Sequence, residues 1–89
     1  MSLFAVNTAF ALLAQFETPT VKLENICEEF FGMKKDKAYE RAGMNELPVP
    51  TFRASASQKA PRLVHIEDLA HWLDEQRAKA RKEWERSQV

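Results

Sequence analysis

Apolar positions in the first third of the chain predict two short helices. Asn7 and Thr8 can cap the first one. The apolar side chains that then fall on one helical face are Ala9, Phe10, Leu13 and Phe16. Apolar residues at positions 10, 12, 14 and 16 also alternate as in a strand. Helix and strand therefore both remain open for residues 8–16, and the Ala and Leu content favours the helix.

We expect residues 20–22 to be extended. The apolar stripe of a second helix follows them. Its members are Leu23, Ile26, Cys27, Phe30 and Phe31. Gly32 then stands where helices commonly end in the left-handed conformation, so the helix is predicted to stop there.

The third helical segment, residues 33–47, is mostly polar. Met33, Ala38 and Ala42 can face inward, with Tyr39 and Leu47 at the flanks. The positions left outside are Lys34, Lys35, Lys37, Glu40 and Arg41. Two short helices joined at Gly32 and Met33 are typical of a helix-turn-helix unit.

A short hairpin is predicted after this unit. Pro48 and Pro50 remove two backbone donors, which favours an extended linker at a sheet edge. Residues 51–54 and 62–66 can then pair as two strands. Small and polar residues occupy the tip between them, where the charges at 53, 59 and 62 are all positive.

A long helix is predicted to start at Glu67 and Asp68, because acidic side chains suit the first turn of a helix. One face carries Leu69, Leu73, Gln76, Ala80 and Trp84, with Trp72 beside them. The far end of this helix is rich in cations. This composition is more typical of a solvated or dimerising tail than of a helix in the core.

Length and composition indicate one domain over residues 1–89, divided into an N-terminal segment (1–19), a helix-turn-helix plus wing (20–66) and the long helix (67–86). No apolar run approaches the roughly 20 residues that span a membrane. The apolar start lacks the Lys or Arg of a signal peptide. Cys27 is the only cysteine, which fits a reducing cytoplasm.

Charge is unevenly spread although the net charge is zero. Residues 32–66 hold seven Lys or Arg and three acids, whereas both flanking regions are net acidic. A solvated face is the simplest interpretation of any charge run. Two separate basic stretches in the middle of the chain, at 34–41 and 53–62, also fit a polyanionic partner.

The order of elements favours a mainly α fold with a short β-hairpin, that is, a winged helix-turn-helix that binds double-stranded DNA. A helix fits the major groove, and a thin hairpin can follow the adjacent backbone or minor groove. The candidate contact residues on the helix are Lys34, Lys35, Lys37 and Arg41, with Arg41 favoured for reading guanine. Those on the wing are Arg53, Ser55, Ser57, Gln58, Lys59 and Arg62.

No catalytic or metal-binding constellation is evident. His65 and His71 are six residues apart without a third ligand at metal spacing. The chain contains no glycine-rich phosphate loop and no Cys-x-x-Cys pair. We therefore expect a protein that is not an enzyme and needs no cofactor.

The segments "NTAFALLAQF", "LENICEEFF", "LPVPTFRASASQKA" and "VHIEDLAHWLDEQRAKARKE" resemble the pyocin activator protein (PrtN) family, from about Asn7 to Glu83. The resemblance implies a DNA-binding activator of bacteriocin or prophage-type genes, with RNA polymerase as a candidate partner. A looser similarity to excisionase and MerR-type domains rests on Leu47-Pro48 and Glu67-Asp68-Leu69. Two alternatives remain open. One is an architectural DNA-binding factor, as in excisionases, and the other is a protein-interaction module such as an anti-repressor, which would use the apolar N-terminus and the helix of Trp72 and Trp84.

A homodimer is the expected assembly, because one helix and one wing read only a few base pairs. The apolar residues available for contact are Phe4, Val6, Phe10 and Leu13 in the N-terminal segment, and Ala80 and Trp84 on the last helix.

Overall fold

The computed structural model describes residues 7–88, which form four helices and a small antiparallel sheet. In chain order the elements are α1 (Thr8–Phe16), β1 (Thr20–Lys22), α2 (Leu23–Phe31), α3 (Lys35–Gly43), β2 (Phe52–Arg53), β3 (Arg62–His65) and α4 (Ile66–Ser87). Phe4 and Val6, expected among the dimer contacts, lie outside the described residues. Within residues 7–88, no helix is long and apolar enough to cross a membrane.

Residues 8–16 form a helix rather than a strand. The side chain of Asn7 accepts a hydrogen bond from the backbone N–H of Phe10 at 2.9 Å, which satisfies a donor that the helix leaves free. Glu17 ends the helix in the left-handed conformation, and its N–H donates to the carbonyl of Leu13. Leu12 is buried, and α1 packs along α4.

The sheet has three strands in the order β1-β3-β2, one more than the predicted hairpin. Val21 of β1 lies opposite Val64 of β3, and Phe52 of β2 lies opposite Leu63. The N–H of Ile66 donates to the carbonyl of Pro19 at 2.9 Å, which extends this pairing to the start of α4. The hairpin is therefore joined on one side to the segment that leads into α2.

The core lies between α2, the sheet and the first turns of α4. The largest fully buried side chains are Leu23, Ile26, Cys27, Val64 and Leu69. Ala38 and Ala42 bring α3 onto this core, with Met33 and Tyr39 half-buried beside it. The predicted inward faces of α2 and α3 are thereby confirmed.

The turn between α2 and α3 depends on Gly32, which has a φ of 67°. Its N–H donates to the last carbonyls of α2, and the conformation is one that a side chain disfavours. Because the turn is this tight, α3 starts three residues after Gly32, at Lys35.

The long helix begins one residue earlier than predicted, at Ile66, because His65 caps it. The Nδ1 atom of His65 accepts from the N–H of Glu67 at 3.0 Å. Trp72 is half-buried and meets Phe31 edge to face, with ring centroids 4.9 Å apart. Its aromatic partner on α2 is therefore Phe31.

Beyond Leu73 the long helix leaves the core. Every side chain from 74 to 88 is exposed. The radius of gyration is 15.2 Å, compared with about 12 Å for a compact domain of this length. The principal-axis extents of 51 × 28 × 17 Å show the same elongation.

Candidate nucleic-acid interface

The start of α3 carries a basic surface. Lys34, Lys35 and Lys37 are exposed there. Lys34 occupies the N-cap position, and its side chain makes no capping bond. The N–H groups at the start of α3 are therefore not capped by this side chain, and a helix start with free N–H groups favours anions.

Lys35 is held on the surface by neighbouring groups. Its Nζ lies 3.6 Å from Glu24 Oε2 and 5.9 Å from the centre of the Tyr39 ring. Both contacts are outside the core, where an ion pair contributes little. Lys34 and Lys37 have no such contact within the described residues, so they are freer to reach a partner.

Arg41 differs from its expected place on the outer face of α3. The residue is half-buried, and its Nε atom is enclosed without a hydrogen-bond partner within residues 7–88. Arg41 follows Ala38 by three residues and precedes the buried Ala42, which turns its stem toward the core. It is therefore not a freely exposed cation.

Two cations of the hairpin are hydrogen-bonded within it. Arg53 Nε donates to the carbonyl of Ala60 at 3.0 Å, and Arg62 Nη1 donates to Thr51 Oγ1 at 3.1 Å. Both arginines are half-buried. The sequence placed them at the contact surface, whereas in the structure their side chains also join the strands of the hairpin.

Every residue at the tip of the hairpin, 54–59, is exposed. Ser55 Oγ accepts from the N–H of Ser57 at 3.3 Å, and Ser57 Oγ accepts from the N–H of Lys59 at 3.1 Å. These local bonds shape the loop, as serine hydroxyls commonly do in turns. Gln58 and Lys59 project from it without side-chain hydrogen bonds among the described residues.

Tyr39 connects the two basic surfaces, a role that the sequence analysis missed. Its hydroxyl accepts from the N–H of Arg62 at 3.3 Å and lies 3.5 Å from Glu24 Oε1, to which it can donate. One side chain on α3 thus contacts both β3 and α2. A lone tyrosine in a polar helix was the feature of the sequence that could have indicated this role. Its partners could not be predicted, because they are 15 and 23 residues away in the chain.

Two acids lie among the cations of α3. Asp36 and Glu40 are both exposed, and Asp36 is in the first turn. The surface of α3 is therefore mixed in charge rather than uniformly basic. Such acids restrict which groups of a polyanion α3 can approach.

No group of three or more His, Cys, Asp or Glu side chains that could hold a metal occurs within residues 7–88. His71 Nε2 lies 2.6 Å from Glu75 Oε1, one helical turn away. Cys27 is fully buried.

These features define a small, mainly helical domain with a three-stranded sheet, on which three exposed lysines lie at the start of α3 and a fourth, Lys59, lies at the tip of the hairpin. The family model described as pyocin activator protein PrtN matches residues 8–80, from α1 to the middle of α4. The chain belongs to this family, which is one of regulatory activators rather than of enzymes. No curated protein and no solved structure matches the chain.

Proposed function

We propose that the protein is a sequence-specific DNA-binding activator of bacteriocin or prophage-type genes. In this proposal α2 and α3 form the helix-turn-helix, and the β2–β3 hairpin forms the wing. Tyr39 carries the proposal, because its hydroxyl holds the hairpin beside α3. A groove-reading helix and a backbone-following wing need such a fixed relation to engage one duplex together.

The start of α3 would enter the major groove. Lys34, at the helix start, would contact a phosphate, and Lys37 would contact a phosphate or a guanine edge. Asp36 and Glu40 are exposed on the same helix and would be repelled by phosphates. A carboxylate in the major groove accepts a hydrogen bond from the amino group of cytosine, so these acids favour sequence-specific reading over binding by charge alone.

The wing would contact the backbone through its tip. Lys59 and Gln58 are exposed there, and small residues around them allow close approach to phosphate. Arg53 and Arg62 can contribute charge while their hydrogen bonds keep the hairpin in shape. Arg41, being half-buried, is a weaker candidate for base reading than Lys37.

Finding the bound DNA is the first experiment. Recovery of DNA cross-linked to the protein in its host should yield a shared motif upstream of regulated genes, and a reporter driven by that DNA should rise with the protein. Sites confined to a recombination attachment region, with DNA bending and no change in transcription, would support the architectural alternative instead.

Binding to the recovered motif should then depend on α3. Lys37→Ala is expected to reduce affinity for the motif by about tenfold, because a groove contact contributes about 1–3 kcal/mol. Lys79→Ala, which removes an exposed cation from the far part of α4, is the matched control and should leave affinity unchanged. Equal losses in the two variants would contradict the proposed interface.

A further inference from the structure

The molecule exposes more surface than a compact monomer of its mass. The chain has an accessible surface of 6881 Å², whereas a compact monomer of 10.3 kDa is expected to have about 5400 Å². A standard interface covers about 800 Å² on each partner. Trp84, 58% exposed, lies on the projecting half of α4, beyond the part matched by the family model.

Charge divides α4 into two opposite halves. Residues 66–75 hold four carboxylates and no Lys or Arg. Residues 76–87 hold five Lys or Arg and two carboxylates. Two copies of this helix side by side would repel in a parallel arrangement, because like halves would meet. In an antiparallel arrangement each acidic half would lie beside a basic half.

One face of α4 has the side chains for such a contact. Asp74, Arg77, Ala78 and Arg81 line a common concavity, and Trp84 follows Arg81 by three residues on the same side. Thr8 Oγ1 donates to Asp74 Oδ1 at 2.6 Å, so α1 adjoins this face at its acidic end.

An apolar groove lies between α1 and the start of α4. Phe10 is 74% exposed and Leu13 is 43% exposed at its edge. Ala9, Pro19 and Ile66 also line it, and Glu67 gives it an acidic rim. A bulky apolar side chain from a basic helix complements a groove of this composition.

We propose that the protein forms an antiparallel homodimer through α4. About a twofold axis near residues 77 and 78, Asp74 of each copy faces Arg81 of the other. Trp84 of each copy then lies against the α1–α4 surface of its partner, beside the exposed Phe10 and Leu13. The interface is isologous, so every contact occurs twice.

Cross-linking tests the direction of the helices. A short bismaleimide is applied to the single variants Ala78→Cys and Ser87→Cys, with the native chain as control because Cys27 is fully buried. Position 78 lies near the proposed axis and should give covalent dimers. The two copies of position 87 would be about 28 Å apart along the helices, so Ser87→Cys should give few covalent dimers. Efficient cross-linking of both variants would indicate a parallel pair and overturn the proposal.

A charge exchange tests the contacts, using sedimentation at micromolar concentration without DNA. Asp74→Arg and Arg81→Asp should each raise the dissociation constant by about tenfold or more, and the double variant should restore it. Trp84→Ala should raise the dissociation constant by at least about tenfold. Lys79→Ala, an exposed residue on the opposite side of α4 from Asp74, Arg77 and Arg81, is the control and should leave it unchanged.

A native chain that remains monomeric at these concentrations would overturn the proposal. A double variant no better than the single ones would overturn it as well. Measuring DNA affinity of the same variants separates this interface from a basic DNA-binding surface. Arg81→Asp could weaken DNA binding while the dissociation constant of the dimer stays the same. In that case the basic half of α4 binds DNA, and the proposed pairing is wrong.

Discussion

His65 accepts the hydrogen bond that starts α4, through the Nδ1 atom of its ring. Most N-caps are Ser, Thr, Asp or Asn, so a histidine here was not recognised from the sequence. The ring accepts at Nδ1 only when that atom carries no proton, which places the proton of the neutral ring on Nε2. A single side chain thus determines where the longest helix begins.

Replacing His65 should reveal the capping bond directly. His65→Ala is expected to lower the free energy of unfolding by about 1 kcal/mol, because the N–H of Glu67 loses its acceptor. His65→Asn should recover most of that loss, since an amide oxygen caps equally well. Urea denaturation of the three proteins is the measurement. An equal loss in both variants would mean that the ring contributes by packing rather than by capping.

In the hairpin, we expect Arg53 to contribute to stability and Lys59 to contribute charge to DNA binding. Arg53→Ala should lower the free energy of unfolding by about 1 kcal/mol, because the bond to the Ala60 carbonyl is lost. Lys59→Ala should leave stability unchanged but reduce the slope of log affinity against log salt concentration by about one unit, if this side chain neutralises one phosphate. An unchanged slope for Lys59→Ala would leave the hairpin tip without a phosphate contact.

At the scale of the elements, Tyr39 relates α3 to the hairpin. Tyr39→Phe keeps the ring and removes the hydroxyl that the N–H of Arg62 uses. We expect a loss of about 1 kcal/mol in unfolding free energy. In the proposed DNA complex affinity should fall with no change in the salt slope, because no cation is removed. A normal affinity in this variant would show that α3 and the hairpin need no such link to act together.

The sequence predicted those elements whose signals are local. The apolar stripe of α2 and the stop at Gly32 follow from residues within a few positions of each other, and both are confirmed. Strand β1 did not emerge as part of the sheet, because its three residues gain their pairing from β3, more than 40 positions later. Arg53 and Arg62 were likewise assigned to the DNA-contact surface from their charge alone. Their hydrogen bonds could not be predicted, because the partners depend on how the hairpin closes.

The two tryptophans of α4 offer a matched test of how the helix is used. Trp72→Ala should lower the unfolding free energy by about 3 kcal/mol, because the ring packs on Phe31 at the edge of the core. Trp84→Ala should change it by less than about 0.5 kcal/mol at a protein concentration low enough to keep the chain monomeric. Thermal or urea midpoints that fall equally would mean that Trp84 makes a stabilising contact within the monomer, contrary to its exposure in the structure.

At the scale of the whole molecule, α4 has two parts that differ in burial. Its first turns complete the core through Leu69 and Ala70, and the remainder projects into solvent. The first part therefore supports the fold, and the second is free for association. The two roles can be separated by removing residues 77–89, which takes away the cationic half and none of the buried side chains.

We expect the shortened chain, residues 1–76, to unfold cooperatively with a urea midpoint close to that of the native monomer, because every core residue remains. Its sedimentation should be that of a monomer at concentrations where the native chain associates. In the proposed DNA complex it should bind a single half-site with unchanged affinity but lose the added affinity of a paired site, since two copies no longer bind as one unit. Retained association would place the contact on α1 rather than on α4, whereas loss of cooperative unfolding would show that the projecting half stabilises the fold.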